Sequence, residues 1–182
     1  MFSRVSNLIR DERGFSQITF SVMAMFFLLL IAGLASDMGR LRLVQGNLVV
    51  ACDSSSLSGA MTADAIKEST AAPEYDSSGN VVGIHEDVRW HAQINSSERA
   101  ANAALSAFSL NSSDLTAARG VSFNSTSDWR GEMVGIDSYK VSARAKVRTF
   151  FAGAVGLITG STSFIDMPVS ATGTARAVVK TD

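Results

Sequence analysis

The chain has 182 residues, 46% of them hydrophobic and 18% charged, with a formal net charge of -1. That charged share lies below the ~25% of an average soluble domain, which argues against an ordinary cytosolic enzyme. One cysteine, Cys52, excludes an intrachain disulfide and a cysteine zinc cage.

The charge deficit is local. Gly14 to Ser36 is a run of 23 uncharged residues, and 16 of the 21 from Phe15 to Ala35 are hydrophobic. About 20 apolar residues at 1.5 Å each match a bilayer core of roughly 30 Å. The run therefore predicts a transmembrane helix over 15–36. Arg4, Arg10 and Arg13 precede it, and Arg40 and Arg42 follow, which predicts a cytoplasmic N-terminus (segment 1–14) and translocation of everything beyond Asp37. A competing reading is a secretory signal cut after Ala35, at the small-x-small step Gly33-Leu34-Ala35. It would release a surface ligand-binding module, but the apolar run exceeds the usual ~7–15 residues of a signal h-region. Val49-Val50-Ala51-Cys52 resembles a lipobox only superficially, because Asp37, Arg40 and Arg42 separate it from the apolar run.

Beyond the run, Met38, Leu41, Gln45, Leu48 and Cys52 keep helical spacing, and no turn signal appears before Ala72. The pattern predicts that the helix leaves the bilayer as an amphipathic rod to near Glu68, within an extramembrane segment 37–72. Ala32 with Ser36, and Ala35 with Gly39, are small-x-x-x-small pairs that allow membrane helices to pack closely. Pro73 and the stretch Tyr75 to Asn80 predict a turn, opening a domain over 73–182. Asn80 to Trp90 starts like a strand. Asn95, Ser96 and Ser97 offer caps for a helix from Ser97 to about Leu110. Short strands are expected within Gly120–Trp129 and Met133–Ile136.

From Tyr139 to Arg148, apolar or small residues occupy the odd positions and polar ones the even positions. That alternation marks a half-buried strand, with a basic outer face made of Lys140, Arg144, Lys146 and Arg148 as a candidate interaction face. The alternation returns over Ile165–Ala177, where Pro168 lacks an N–H and predicts an edge strand. The connector FFAGAVGLITGSTS is apolar, with a short helical turn expected. The fold class is α+β, a long N-terminal helix packed against a small antiparallel sheet.

Chemistry is sparse. His85 and His91 lack the i, i+4 spacing of a helical zinc pair, and Glu86-Asp87 between them reads as a solvated acidic pair. Nucleophile-elbow and phosphate-loop motifs do not occur. Residues 1–52 carry +2, 53–138 carry -7 and 139–182 carry +4, but no basic patch is interleaved with aromatics as nucleic-acid binding would require. No catalytic residue, metal or cofactor is expected.

Two stretches resemble the TadE/TadG-like proteins of the tight-adherence (Flp) branch of bacterial type IV pili. Asp11 to Ala60 has an Arg-Gly before the apolar helix, the Asp-x-Gly-Arg of Asp37 to Arg40 just beyond it, and a small-residue run ending at Ser58-Gly59-Ala60. Tyr139 to Ala177 looks like the closing strand pair around a Thr-Phe-Phe connector. The resemblance implies a pilin-like, non-enzymatic anchor in the bacterial inner membrane with a periplasmic sheet domain. Its partners would be the bilayer and other pilus or pseudopilin subunits, as a homo- or hetero-oligomer, with no nucleic acid. It also makes Gly14 and Phe15 candidates for prepilin peptidase cleavage. Thr19 stands at the fifth position after Gly14, where processed members carry glutamate, and this favours an uncut TadG-like protein without a von Willebrand A module.

Overall fold

A computed structural model describes residues 12–161 and 165–180. One helix, α1 (Glu12–Ala60), runs for 49 residues through the apolar segment and beyond it. The hairpin β1 (Asp64–Tyr75) and β2 (Val81–Gln93) follows, then α2 (Ser97–Asn111), α3 (Ser113–Ala117), β3 (Val121–Ser122), β4 (Trp129–Met133), β5 (Ser138–Arg148), α4 (Phe151–Thr159) and β6 (Asp166–Arg176). The fold is α+β, with a long apolar N-terminal helix and small antiparallel sheets. Contacts divide it into two compact units, residues 1–43 with 148–167, and 44–147 with 168–182.

In the second unit, Val44, Leu48, Ala51, Cys52, Ser55 and Ser56 are buried along one face of α1. These positions recur every three to four residues, as a helix packed on a layer requires. The small residues at the far end permit close approach. Ser55 Oγ donates to the Ala104 carbonyl of α2 at 2.7 Å, and Ser58 Oγ to that of Ala103 at 3.2 Å. The ring of Tyr139 occupies the space a Cβ on Gly59 would need.

β5 organises the four-stranded sheet. β4 pairs antiparallel with its 139–143 stretch, β3 with 146–147, and β6 also pairs with β5. The expected alternation holds: Tyr139, Val141, Ala143, Ala145 and Val147 are buried. On β6, a Cβ at Gly173 would lie 2.6 Å from the backbone carbonyl of Cys52. Backbone cannot swing aside as a side chain can, so Gly173→Ala is expected to cost about 1–3 kcal/mol by overpacking. Thermal unfolding of the detergent-solubilised protein would show it as a lowered midpoint.

The helix ends at Ala60, short of the expected Glu68 and of the 37–72 segment drawn for it. Thr62 Oγ1 donates to the Gly59 carbonyl at 2.7 Å, and the amides of Thr62 and Ala63 make i−3 bonds to Gly59 and Ala60. This tightened turn closes the helix. Residues 64–75, rich in the helix formers Ala, Glu and Lys, pair instead with β2 in register from Asp64↔Gln93 to Glu74↔Gly83. Pairing with a Val- and Ile-bearing partner strand overrides local propensity. The turn falls at Asp76–Asn80, within the expected stretch, while Pro73, expected to help end the helix in a turn, lies inside β1 opposite Ile84. Asp76 accepts the amides of Ser78 and Asn80, each at 2.8 Å. The Asn80 amide chiefly, helped by that of Ser78, holds the Asp76 carboxyl below its ordinary range.

α2 starts as expected, with Ser96 capping the Arg99 amide at 3.2 Å. The strand expected at Met133–Ile136 is instead largely turn: β4 ends at Met133, and Gly135 takes a positive φ of 85° in the link to β5.

Candidate functional site

The apolar segment of α1 presents apolar side chains all round. Ile18, Phe20, Val22, Met25, Phe26 and Leu28 are all exposed. Only 6% of its most apolar window is buried within the protein, so it is not the core helix of a folded domain. It is long and apolar enough to cross a membrane.

Just beyond, Asp37 is 6% exposed although it carries a carboxylate. Its oxygens accept three backbone amides from the start of α4: Phe150 at 3.1 Å, Phe151 at 2.8 Å and Ala152 at 2.9 Å. Phe150, the residue at the helix cap, supplies no side-chain bond of its own. A carboxylate 113 residues away in sequence therefore caps α4, satisfying its orphan donors and opposing the positive end of its dipole. Arg40, one turn later, reinforces the joint. Its guanidinium lies 5.2 Å from the centroid of the Phe150 ring, and its Nη1 donates to the Arg148 carbonyl at 3.4 Å. Below Asp37, the Phe151 ring covers Gly33, where a Cβ would sit 2.2 Å from ring carbons. Gly33, Asp37 and Arg40 thus form one face of α1, at i, i+4 and i+7. Asp37 and Arg40 are the outer residues of the Asp-x-Gly-Arg signature, and their work here is to hold the apolar connector on α1.

The small residues singled out for helix packing lie on other faces. Ala32, Ala35, Ser36 and Gly39 are exposed, and a Cβ on Gly39 would meet nothing within 4 Å. At this end of the apolar segment the closely packed glycine is Gly33, which the small-x-x-x-small pattern missed. Its partner is an aromatic ring distant in sequence. The side chains of Gly14 and Phe15, and most of segment 1–14, lie outside the described residues.

The basic face of β5 is partly neutralised. Lys140 pairs with Glu132 at 3.4 Å. Arg144 borders a polar groove with Asp128, Trp129 and Arg130. Lys146 and Arg148 are exposed. The acidic pair between the histidines is also occupied: Glu86 accepts from Ser69 and faces Lys67 at 4.0 Å, while Asp87 pairs with Arg89 at 3.1 Å. Among the described residues, no group of three His, Cys, Asp or Glu is arranged to hold a metal.

One face of the β1–β2 hairpin is exposed and mixed, with Trp90, Val88 and Ile84 beside Ser69 and the Lys67–Glu86 ion pair. Register places Trp90, Val88 and Ile84 on the same side as Ala65, Ala71 and Pro73, and Trp90, Val88 and Ile84 are exposed. A two-stranded hairpin is marginal in water on its own, so this face suits contact with another surface.

Cys52 is fully buried, and its thiol donates to the Ala171 carbonyl at 3.7 Å. Burial first, and the neighbouring Asp53 charge second, push the thiol up to about 11. The thiolate is the reactive form. Native protein at pH 8 is therefore expected to react with a thiol-specific disulfide reagent at least about 100-fold more slowly than urea-unfolded protein. Equal rates would contradict the burial.

Residues 17–62 match the Tad family model, described as Flp pilus-assembly TadE/G-like. These 46 residues, about a quarter of the chain, begin within the apolar segment and end in the turn that closes α1. No curated protein and no solved structure matches the chain.

Proposed function

Taking as premise that the match over residues 17–62 supports the TadE/TadG-like family and points to a Tad/Flp pilus-associated component, we propose that the chain is a minor pilin-like or pilus-assembly subunit. In this reading it is an uncut inner-membrane anchor with a cytoplasmic N-terminus. Its domain stands in the periplasm, and it works by protein–protein contact rather than catalysis. The family is of a structural, non-enzymatic kind. The observation that carries the proposal is that match, which covers most of the apolar run, Asp37, Arg40 and the small-residue end of α1. The exposed small residues Ala32, Ala35, Ser36 and Gly39 offer a face to neighbouring membrane helices. The uncovered hairpin face, and Lys146 on β5, offer surfaces to partner subunits or the envelope.

The unbroken helix through Ala35 and the use of Gly33 and Asp37 as a packing face support retention of the segment. Mass spectrometry of protein extracted from membranes tests this. An intact N-terminus is expected. A new N-terminus at Phe15 would instead mark a processed pilin, and one at Ser36 a released binding module.

A further inference from the structure

We propose that α4 is a second membrane-contacting element. Its exposed apolar residues, and the groove it forms with α1, lie among the lipid acyl chains of the leaflet at the C-terminal end of the membrane segment. The proposal rests on α1 crossing the bilayer.

Sequence sets the first condition. No charged residue occurs between Arg148 and Asp166, and α4 is nine residues long. At 1.5 Å per residue it reaches about 14 Å, too short to cross a ~30 Å core. A short apolar helix of this length can lie along the interface instead.

Packing sets the depth. The Phe151 ring rests on Gly33, three residues before the uncharged run ends at Ser36. The start of α4 is therefore level with the final turn of the apolar segment. There Phe150 is 65% exposed and Phe151 is exposed as well. Beside them a groove of about 420 Å³ is lined by Leu30, Leu34, Met38, Leu41, Val155 and Met167. The polar side chain at this groove, Asp37, already receives three amides. Water would find almost nothing to bond there, whereas acyl chains continue the environment already required by Leu30 and Leu34.

Charge marks the upper limit. Arg40 and Arg42 follow the run on α1, and Arg148 immediately precedes the connector. The Arg40 guanidinium lies over the Phe150 ring, and a cation there suits headgroup phosphates at the upper edge of the acyl region. Lipid is the occupant that fits, because the groove is continuous with the membrane face of α1 and is rimmed by cations.

The test uses the full chain in proteoliposomes. An environment-sensitive fluorophore is attached at Phe150→Cys or Ala154→Cys, both exposed sites. Phe27→Cys, inside the span, and Leu110→Cys, at an exposed position of α2, serve as references. The buried Cys52 of the unsubstituted chain supplies the labelling blank. Lipids carrying a nitroxide on the acyl chain should quench the labels at 150 and 154 about twofold or more, as they quench the one at 27, and leave that at 110 unchanged. Quenching at 27 but not at 150 and 154, whether water or a second protein covers α4, overturns the proposal while α1 remains an anchor. Absence of quenching at 27 as well refutes the spanning helix itself, and the proposal with it.

Discussion

Phe108→Ala is expected to destabilise the unit of residues 44–147 and 168–182 by about 3–5 kcal/mol, the range for deleting a fully buried aromatic ring. Phe108 is completely buried on α2. Its ring lies 5.8 Å from that of Phe123 and 6.1 Å from that of Trp129, each tilted by 50°. Truncation removes the centre of this aromatic trio and opens a cavity that the flanking elements cannot close, because Ala100 and Ala104 already hold α2 close to its neighbours through buried small side chains. Chemical denaturation of detergent-solubilised protein, followed by tryptophan emission, measures the loss. Leu110→Ala is the matched control: Leu110 lies on the same helix but is 75% exposed, and its truncation should shift stability by less than about 0.5 kcal/mol. Equal effects of the two substitutions would mean that α2 does not pack as described.

The second large effect is expected at Asp37. Asp37→Ala deprives the amides of Phe150, Phe151 and Ala152 of their acceptor. Hydrogen bonds to a charged group contribute about 1.5–3 kcal/mol, and losing a helix cap costs about 0.5–2 kcal/mol. A loss of about 2–3 kcal/mol in the docking of α4 is therefore expected. At 1.4 kcal/mol per decade, this corresponds to roughly 30- to 150-fold faster hydrogen exchange at these amides. Asp37→Asn keeps an acceptor oxygen without the charge, and should fall between wild type and alanine. Exchange elsewhere, for example in β5 at Val141, should not change. If Asp37→Ala accelerates Val141 as much as Phe151, the carboxylate supports the whole fold rather than the α4 joint.

These two sites differ in how far sequence exposes them. Phe108 falls on the face shared by Ala101 and Leu105 in a periodic reading, but the structure buries Ala100, Ala104 and Phe108 instead. A rotation of one residue is within what a short, Ala-rich helix leaves undetermined. The alternation of Tyr139–Arg148 is unambiguous, since a strand with one buried face admits only one phase, and every odd position is buried as that phase requires. Residues 64–75 were misleading because Ala, Glu and Lys favour helix locally. Only the partner strand at 81–93, a non-local fact, makes them β. Asp37 shows a different limit. An acid at the end of an apolar run reads naturally as a boundary marker, and its partner amides lie 113 to 115 residues away. Local spacing carries no trace of such a bond. The family signature marked Asp37 and Arg40 as a pair without giving the reason, which is a carboxylate cap and a cation over Phe150.

The same contrast applies to the candidate interaction surfaces. The basic outer side of β5 was legible from alternation, whereas the pairing of Lys140 with Glu132 depends on the β4–β5 register and was not. Likewise, only the β1–β2 register brings Trp90, Val88 and Ile84 onto one side of the hairpin, opposite Lys67, Ser69 and Pro73.

The most direct test of a membrane-anchored pilus subunit is complementation of a deletion strain, read as surface pili by electron microscopy. The intact chain should restore pili. A version in which residues 1–36 are replaced by a cleavable secretory signal, so that the folded domain is released, should not. Restoration by the released domain would contradict the anchored account, and unchanged pili in the deletion strain would contradict the pilus assignment.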